Sequence, residues 1–178
     1  RNELIETVAR VEQTVRDEFE PLTEDELNWR PSEGRWCIGE CLNHLITAND
    51  PYFAIFESVA NGTKRATIWE RLPILPGLFG SLVLNAVSPE TQRKSRAPKI
   101  FAPPAERVST DVVGQFCAQQ ERLMDAIRPL GETDVDRVIV TSPVAKFITY
   151  SLRHALLIVV RHEERHLRQA QAVLRAMR

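Results

Sequence analysis

The amino-acid sequence predicts an all-α fold, a four-helix bundle with one long crossover between its second and third helices. Three observations carry this reading. Four segments place apolar residues at helical spacing, regular strand runs are missing, and 178 residues suffice for one domain with a sizeable core. A bundle is the economical way to bury four such stripes, so residues 1–178 are read as a single domain.

The first helix is expected from about Glu3 to Glu20, with Leu4, Val8, Val11, Val15 and Phe19 on one stripe and Pro21 ending it. The loop LTEDELNWRPSEGRW follows, rich in turn formers. The second helix is expected from about Ile38 to Ala60. Leu42, Leu45 and Ile46 precede Pro51, and Tyr52, Ile55, Phe56 and Val59 follow it. Because the periodicity resumes, Pro51 is expected to kink the helix rather than end it. The crossover, Asn61 to Ala105, is irregular and rich in proline, with a short helix expected around Leu78 to Val87. The third helix begins near Ser109, with Ser109 or Thr110 as its cap, and continues through Val112, Val113, Phe116, Leu123 and Ile127 until Pro129. VIVTSP, Val138 to Pro143, reads as a brief extended or turn segment. The fourth helix is expected from about Ala145 to Ala176. Its block ALLIVV, Ala155 to Val160, is apolar all round, which calls for burial on a second side by the crossover or by a second subunit.

A formal net charge of −1 gives no reason to expect nucleic acid or an anionic membrane as a partner. The basic run QRKSRAPK reads as a solvated loop, because no aromatic interleaving or nucleic-acid module accompanies it. No apolar run approaches the roughly 20 residues that span a bilayer. Cys37, Cys41 and Cys117 make an odd count with no disulfide pattern, from which a cytoplasmic location is expected.

The stretch HEERH, His162 to His166, matches H-E-x-x-H, the signature of zinc metalloproteases. On a helix, residues four apart differ by about 40° and about 6 Å of rise, so both imidazoles could reach one metal. The rest of a protease is missing. Downstream lies only LRQAQAVLRAMR, with no third ligand, and no strand is available to align a peptide. A third ligand must come from upstream. His44 lies among Leu42, Leu45 and Ile46, on or beside the buried face of the second helix, where a bundle could bring it to the pair. Three neutral imidazoles with open positions would make a reactive metal centre rather than a closed structural one. His154 is about 80° from His162 and about 18 Å along the axis from His166. It cannot join both on one ion and is assigned to structure or to a neighbouring pocket wall. The alternatives stay open on spacing alone: a satisfied core histidine for His44, and a solvated charged face for R-H-E-E-R-H-L-R.

Two stretches bear on that choice. NWRPSEGRWCIGECLNHL, Asn28 to Leu45, resembles the W-S-I-G-E-x-L-x-H-L entry to the second helix in the DinB/YfiT-like family. RHEERHLRQAQAVL, Arg161 to Leu174, resembles that family's H-x-x-x-H-x-x-Q signature. The resemblance spans the chain and implies a four-helix bundle with a divalent metal on His44, His162 and His166, the element being zinc, nickel, iron or manganese. It also implies a thiol cosubstrate, since relatives include thiol-dependent transferases and isomerases. One departure is Cys37, where the family usually has a helix-capping serine; a thiol accepts a backbone N–H poorly.

Around these ligands, Cys41 could be a fourth ligand or a small buried hydrophobe, and Glu40 could fix a ligand tautomer or be exposed. Glu163 would be the catalytic general base if the metal activates water, or else would pair with surface arginines. Arg161, Arg165 and Arg168 could bind a substrate carboxylate or form a solvated face. Trp29 and Trp36 are read as core or pocket wall, and Gln169 as a possible support for His166. The expected function is a metal-dependent enzyme activating a thiol or water toward a small electrophilic substrate. The alternative is a non-catalytic, stress-related binding or scaffold dimer with a vestigial metal site.

Overall fold

The computed structural model describes residues 2–71, 76–90 and 107–178. Its elements are α1 (Asn2–Phe19), α2 (Glu24–Leu27), α3 (Ile38–Ala60), a 3-10 turn (Trp69–Arg71), α4 (Pro76–Val87), α5 (Asp111–Ile127), a second 3-10 turn (Arg128–Glu132), β1 (Ile139–Thr141), β2 (Thr149–Ser151) and α6 (Leu152–Met177). The four long helices α1, α3, α5 and α6 make the expected bundle. α1 and α3 each pack against both α5 and α6, which puts them at opposite corners. α3 runs through Pro51 without a break. The basic run QRKSRAPK lies outside the described residues.

Three features depart from the sequence expectation. Residues 24–27 form a turn of helix, because Thr23 and Glu26 make a capping box: Thr23 Oγ1 accepts from the Glu26 N–H and Glu26 Oε2 accepts from the Thr23 N–H. This turn drives Leu27 into the core. Next, α6 starts at Leu152, not Ala145. The Ser151 hydroxyl accepts the His154 N–H at 3.3 Å and fixes the start, although apolar residues continue upstream. Those upstream residues include β2, which pairs antiparallel with β1 in the register Ile139↔Ser151, Val140↔Tyr150 and Thr141↔Thr149. Three-residue strands are too short to show an alternation in sequence.

The core divides in two. One cluster holds Val8, Tyr52, Phe53, Phe56, Leu123, Ile127 and α6 residues up to Val160. The other holds Val11, Val15, Phe19, Ile38, Cys41, Leu42, Leu45, Phe116, Cys117 and α6 residues from Ala170 onward. The division falls at one level of the bundle: between Cys117 and Leu123 on α5, and between Val160 and Ala170 on α6. At that level the buried side chains are polar: His44, Asn49, Gln119, Gln120, Glu163 and His166. Buried polar groups require partners, so this layer is where chemistry is to be sought.

The apolar girth of Ala155–Val160 is explained by α4. This crossover helix packs on α6 and on β2, with Val83, Leu84 and Val87 against the first cluster. Arg165 Nη1 donates to the Ala86 carbonyl at 2.7 Å, tying the end of α4 to α6. Gly80 lies so close to α6 that a Cβ there would sit 2.6 Å from His154 Cγ. The His154 ring is held by Ser151, whose Oγ lies 2.8 Å from Nδ1. Gly80→Ala is therefore expected to destabilise the protein by about 1–3 kcal/mol, the usual cost of overpacking, despite alanine's better helix propensity. Urea unfolding of both proteins would check this.

Candidate metal site

α3 and α6 bring three histidines to the polar layer. His44 and His166 are buried and His162 is partly exposed. The ring centroids are 4.6 Å apart for His44–His166 and for His162–His166, and 5.0 Å for His44–His162. One ring nitrogen from each falls within 4.8 Å of the other two. His44 Nε2 and His162 Nε2 stand 3.2 Å apart. Two nitrogens bound about 2.0–2.1 Å from one ion are separated by roughly 2.9–3.4 Å at octahedral to tetrahedral angles, so this pair has the right spacing. His166 Nδ1 is buried with no hydrogen-bond partner. Burial, reinforced by the neighbouring rings, holds His162 well below the usual imidazole range and takes His166 down to about 3. Both rings are therefore neutral at pH 7, the form that ligates metals. The residues present fit a divalent ion with open coordination positions.

Trp36 forms one wall. Its ring stacks on His166 at 5.4 Å and 22°, and lies 4.9 Å from His44. Trp36 is only partly buried, as is His162, so the site opens on that side. Trp29 packs at the edge of the second core cluster. Gln169 lies close enough to His166 to favour its charged form, against the larger effect of burial.

The start of α3 is braced independently. Cys37 is the N-cap: its Sγ accepts from the Glu40 N–H at 3.4 Å, and Glu40 Oε2 accepts from the Cys37 N–H at 2.9 Å. Glu40 also holds Arg30 in a two-point ion pair. Glu40 is thus buried at the cap, not exposed, with its carboxylate engaged by Arg30 and the Cys37 N–H. The departure from serine keeps the capping box, with a weaker acceptor. Cys37→Ser is expected to stabilise the protein by about 0.5–1 kcal/mol, read as a rise in melting temperature. Cys41 packs among the apolar residues of the second cluster, and burial pushes its thiol up, out of the range of an available thiolate. It is a small hydrophobe here.

Glu163 is wholly buried. Its Oε1 accepts from Asn49 Nδ2 at 2.7 Å and from Gln120 Nε2 at 2.9 Å, while Oε2 has no partner. Burial raises its carboxyl to about 7. The surface-arginine alternative for Glu163 is thereby excluded. Arg161 instead pairs with Glu164 at 2.9 Å, and Arg165 serves α4. His154 belongs to the α6 cap and the α4 contact, apart from the three ligand candidates. Asn49 and Gln120 were not singled out from the sequence. An amide at a core position of an amphipathic helix was the available signal.

Comparison with known proteins agrees with this fold. Residues 7–170 match the family model of the DinB superfamily. The uncharacterized protein YuaE of Bacillus subtilis (strain 168) is 25% identical over 158 residues, covering 88% of this chain and 88% of YuaE. The solved structure of YfiT from Bacillus subtilis aligns with a TM-score of 0.60 at 15% identity, covering 99% of this chain and 86% of that one. YfiT is described as a probable metal-dependent hydrolase with an unusual four-helix bundle topology. Among the described residues, no helix is long and apolar enough to cross a membrane.

Proposed function

The chain belongs to the DinB superfamily, and from that premise we propose that it is a divalent-metal-dependent enzyme acting on a small electrophilic substrate, with His44, His162 and His166 as the metal ligands. The observation that carries this reading is the convergence of three imidazoles, two of them with Nε2 atoms 3.2 Å apart, beside a buried His166 Nδ1 that nothing else satisfies. A divalent ion bound there supplies Lewis acidity that lowers the pKa of a thiol or water in an open position.

The chain's own residues do the rest. Two neutral rings, His162 and His166, keep their lone pairs available at pH 7. Trp36, stacked on His166 and only partly buried, offers an apolar wall to an entering substrate. No thiolate joins the three nitrogens, so ligand softness does not single out zinc over nickel, iron or manganese. The hydrolytic version is supported by what YfiT is described as doing; a thiol cosubstrate is supported by the family resemblance of the two sequence motifs. Glu163 as general base would need a proton within hydrogen-bond reach, and its complete burial requires some opening of the packing for that. The single domain over 1–178 and the cytoplasmic location are part of the same reading, the latter supported by three buried free cysteines. A homodimer is supported by Leu78 and Leu82, exposed on α4, and sedimentation would test it.

A second reading has one observation in its favour. A 3.2 Å Nε2–Nε2 approach also suits an N–H···N hydrogen bond between two neutral rings, as in a non-catalytic bundle. Metal analysis of untagged protein separates the two, together with melting in the presence of zinc, nickel or manganese. A native-state site raises the melting temperature when its ion is added. Metal-free protein whose melting none of these ions shifts would sink the enzyme proposal. Where metal is bound, hydrolysis of activated esters with and without added thiol, reversed by a chelator, identifies the reaction.

A further inference from the structure

The polar layer contains a second crosslink between the two helices that carry the ligands. His44 and Asn49 are on α3; His162 and Glu163 are on α6. One pair meets nitrogen to nitrogen at 3.2 Å and the other amide to carboxyl at 2.7 Å. Gln120 extends the second crosslink to α5 at 2.9 Å. All three of these partners are buried: Asn49 is 2% exposed, and Gln120 and Glu163 are 0%. Apolar clusters flank the layer above and below. Leucine would serve adhesion better at such positions, since burying polar groups brings little net stability. Directional bonds at a single level do something apolar contacts do not: they admit one axial register between helices that could otherwise slide.

We infer that Asn49, Gln120 and Glu163 are positioning residues, a hydrogen-bonded bolt that fixes the register of α3, α5 and α6 at which His44 meets His162 and His166. The inference rests on the metal reading above and assigns Glu163 a role in geometry rather than in proton transfer. It accounts for a carboxyl with no exposure whose Oε1 takes both amides. The role needs an acceptor at Oε1, not a negative charge.

The test uses full-length untagged protein stripped of metal and titrated with cobalt(II), read by the ion's visible absorption, alongside melting of the metal-free form. Glu163→Gln keeps the shape and the Oε1 acceptor, and should bind within about threefold of wild type with the same spectrum. The apolar variant N49L/Q120L/E163M should melt at or above wild type, yet bind at least tenfold more weakly, the scale seen when groups supporting a ligand are lost. Its absorption should shift with the altered geometry. If that variant does not fold, N49L alone carries the same expectation for cobalt binding, with a lower melting temperature because it leaves Glu163 buried with one donor fewer. Apolar variants that bind cobalt as tightly as wild type would overturn the inference, as would a Glu163→Gln loss as large as theirs. Wild-type protein that takes up no cobalt, or other divalent ion, would instead overturn the metal reading on which the inference stands.

Discussion

His44→Ala is expected to lower metal affinity by about a hundredfold or more, leaving protein purified without a tag essentially free of bound ion. Structural zinc sites with four ligands supply roughly 10–16 kcal/mol, so each ligand contributes on the order of 3 kcal/mol, which is about two decades in affinity. His44 is the decisive ligand to remove, because it alone comes from α3; without it, His162 and His166 are two rings on one helix face. The cavity left behind is bounded by Trp36 and the other two rings, whose centroids lie 4.6–5.0 Å from that of His44. The metal-free form should therefore melt only a little lower. His154→Ala is the control: the fourth histidine bonds Ser151 and packs against Gly80, so its loss should lower stability and leave metal stoichiometry unchanged. An undiminished metal content in His44→Ala would remove that residue from the site.

Much of the bundle was legible because its stripes are long. Val8, Val11, Val15 and Phe19, or Leu42, Leu45, Tyr52 and Phe56, repeat over enough turns for a helical period to be unmistakable, and these residues are buried. The spacing of His162 and His166 put two rings on one face, and the position of His44 among leucines put it on or beside the buried face, while the resemblance of the two motifs was what joined the three. Short-range hydrogen-bonding devices were harder to see. The Thr23–Glu26 box and the Ser151 cap decide where α2 and α6 begin, and each rests on one or two side chains within a longer apolar pattern. Least legible was the polar layer. Asn49, Gln119 and Gln120 read as ordinary helix residues until their positions opposite Glu163 and the histidines are known. The partners lie far apart in sequence, Asn49 and Glu163 by 114 residues, and a single sequence has no pattern that joins them.

Metal-stripped protein is expected to lose stability steeply in acid, and the layer decides where. Unfolded histidine takes a proton near 6.5, whereas folded His166 resists until about 3 and His162 stays well below the usual range. Above 6.5 neither state is protonated and nothing is lost. Below 6.5 the unfolded chain binds more protons, so stability falls with falling pH until the folded rings also titrate. His166 alone accounts for on the order of 5 kcal/mol over that window. Glu163 acts in the opposite sense: folded, it holds its proton up to about 7, while unfolded it releases it near 4.5. Its contribution is fully present below 4.5 and disappears as pH rises through 7. The two effects oppose one another between 4.5 and 6.5. Below 4.5 only the histidine loss continues, and there the acid limb should be steepest. Urea midpoints from pH 3 to 8 in the presence of a chelator would trace the curve. His166→Gln should flatten the acid limb, and Glu163→Gln should raise stability near pH 8 relative to pH 5. Added divalent metal should raise stability across this range, because the ion binds rings that are already neutral in the folded protein. An acid limb that survives unchanged in His166→Gln would show that the buried rings do not control it.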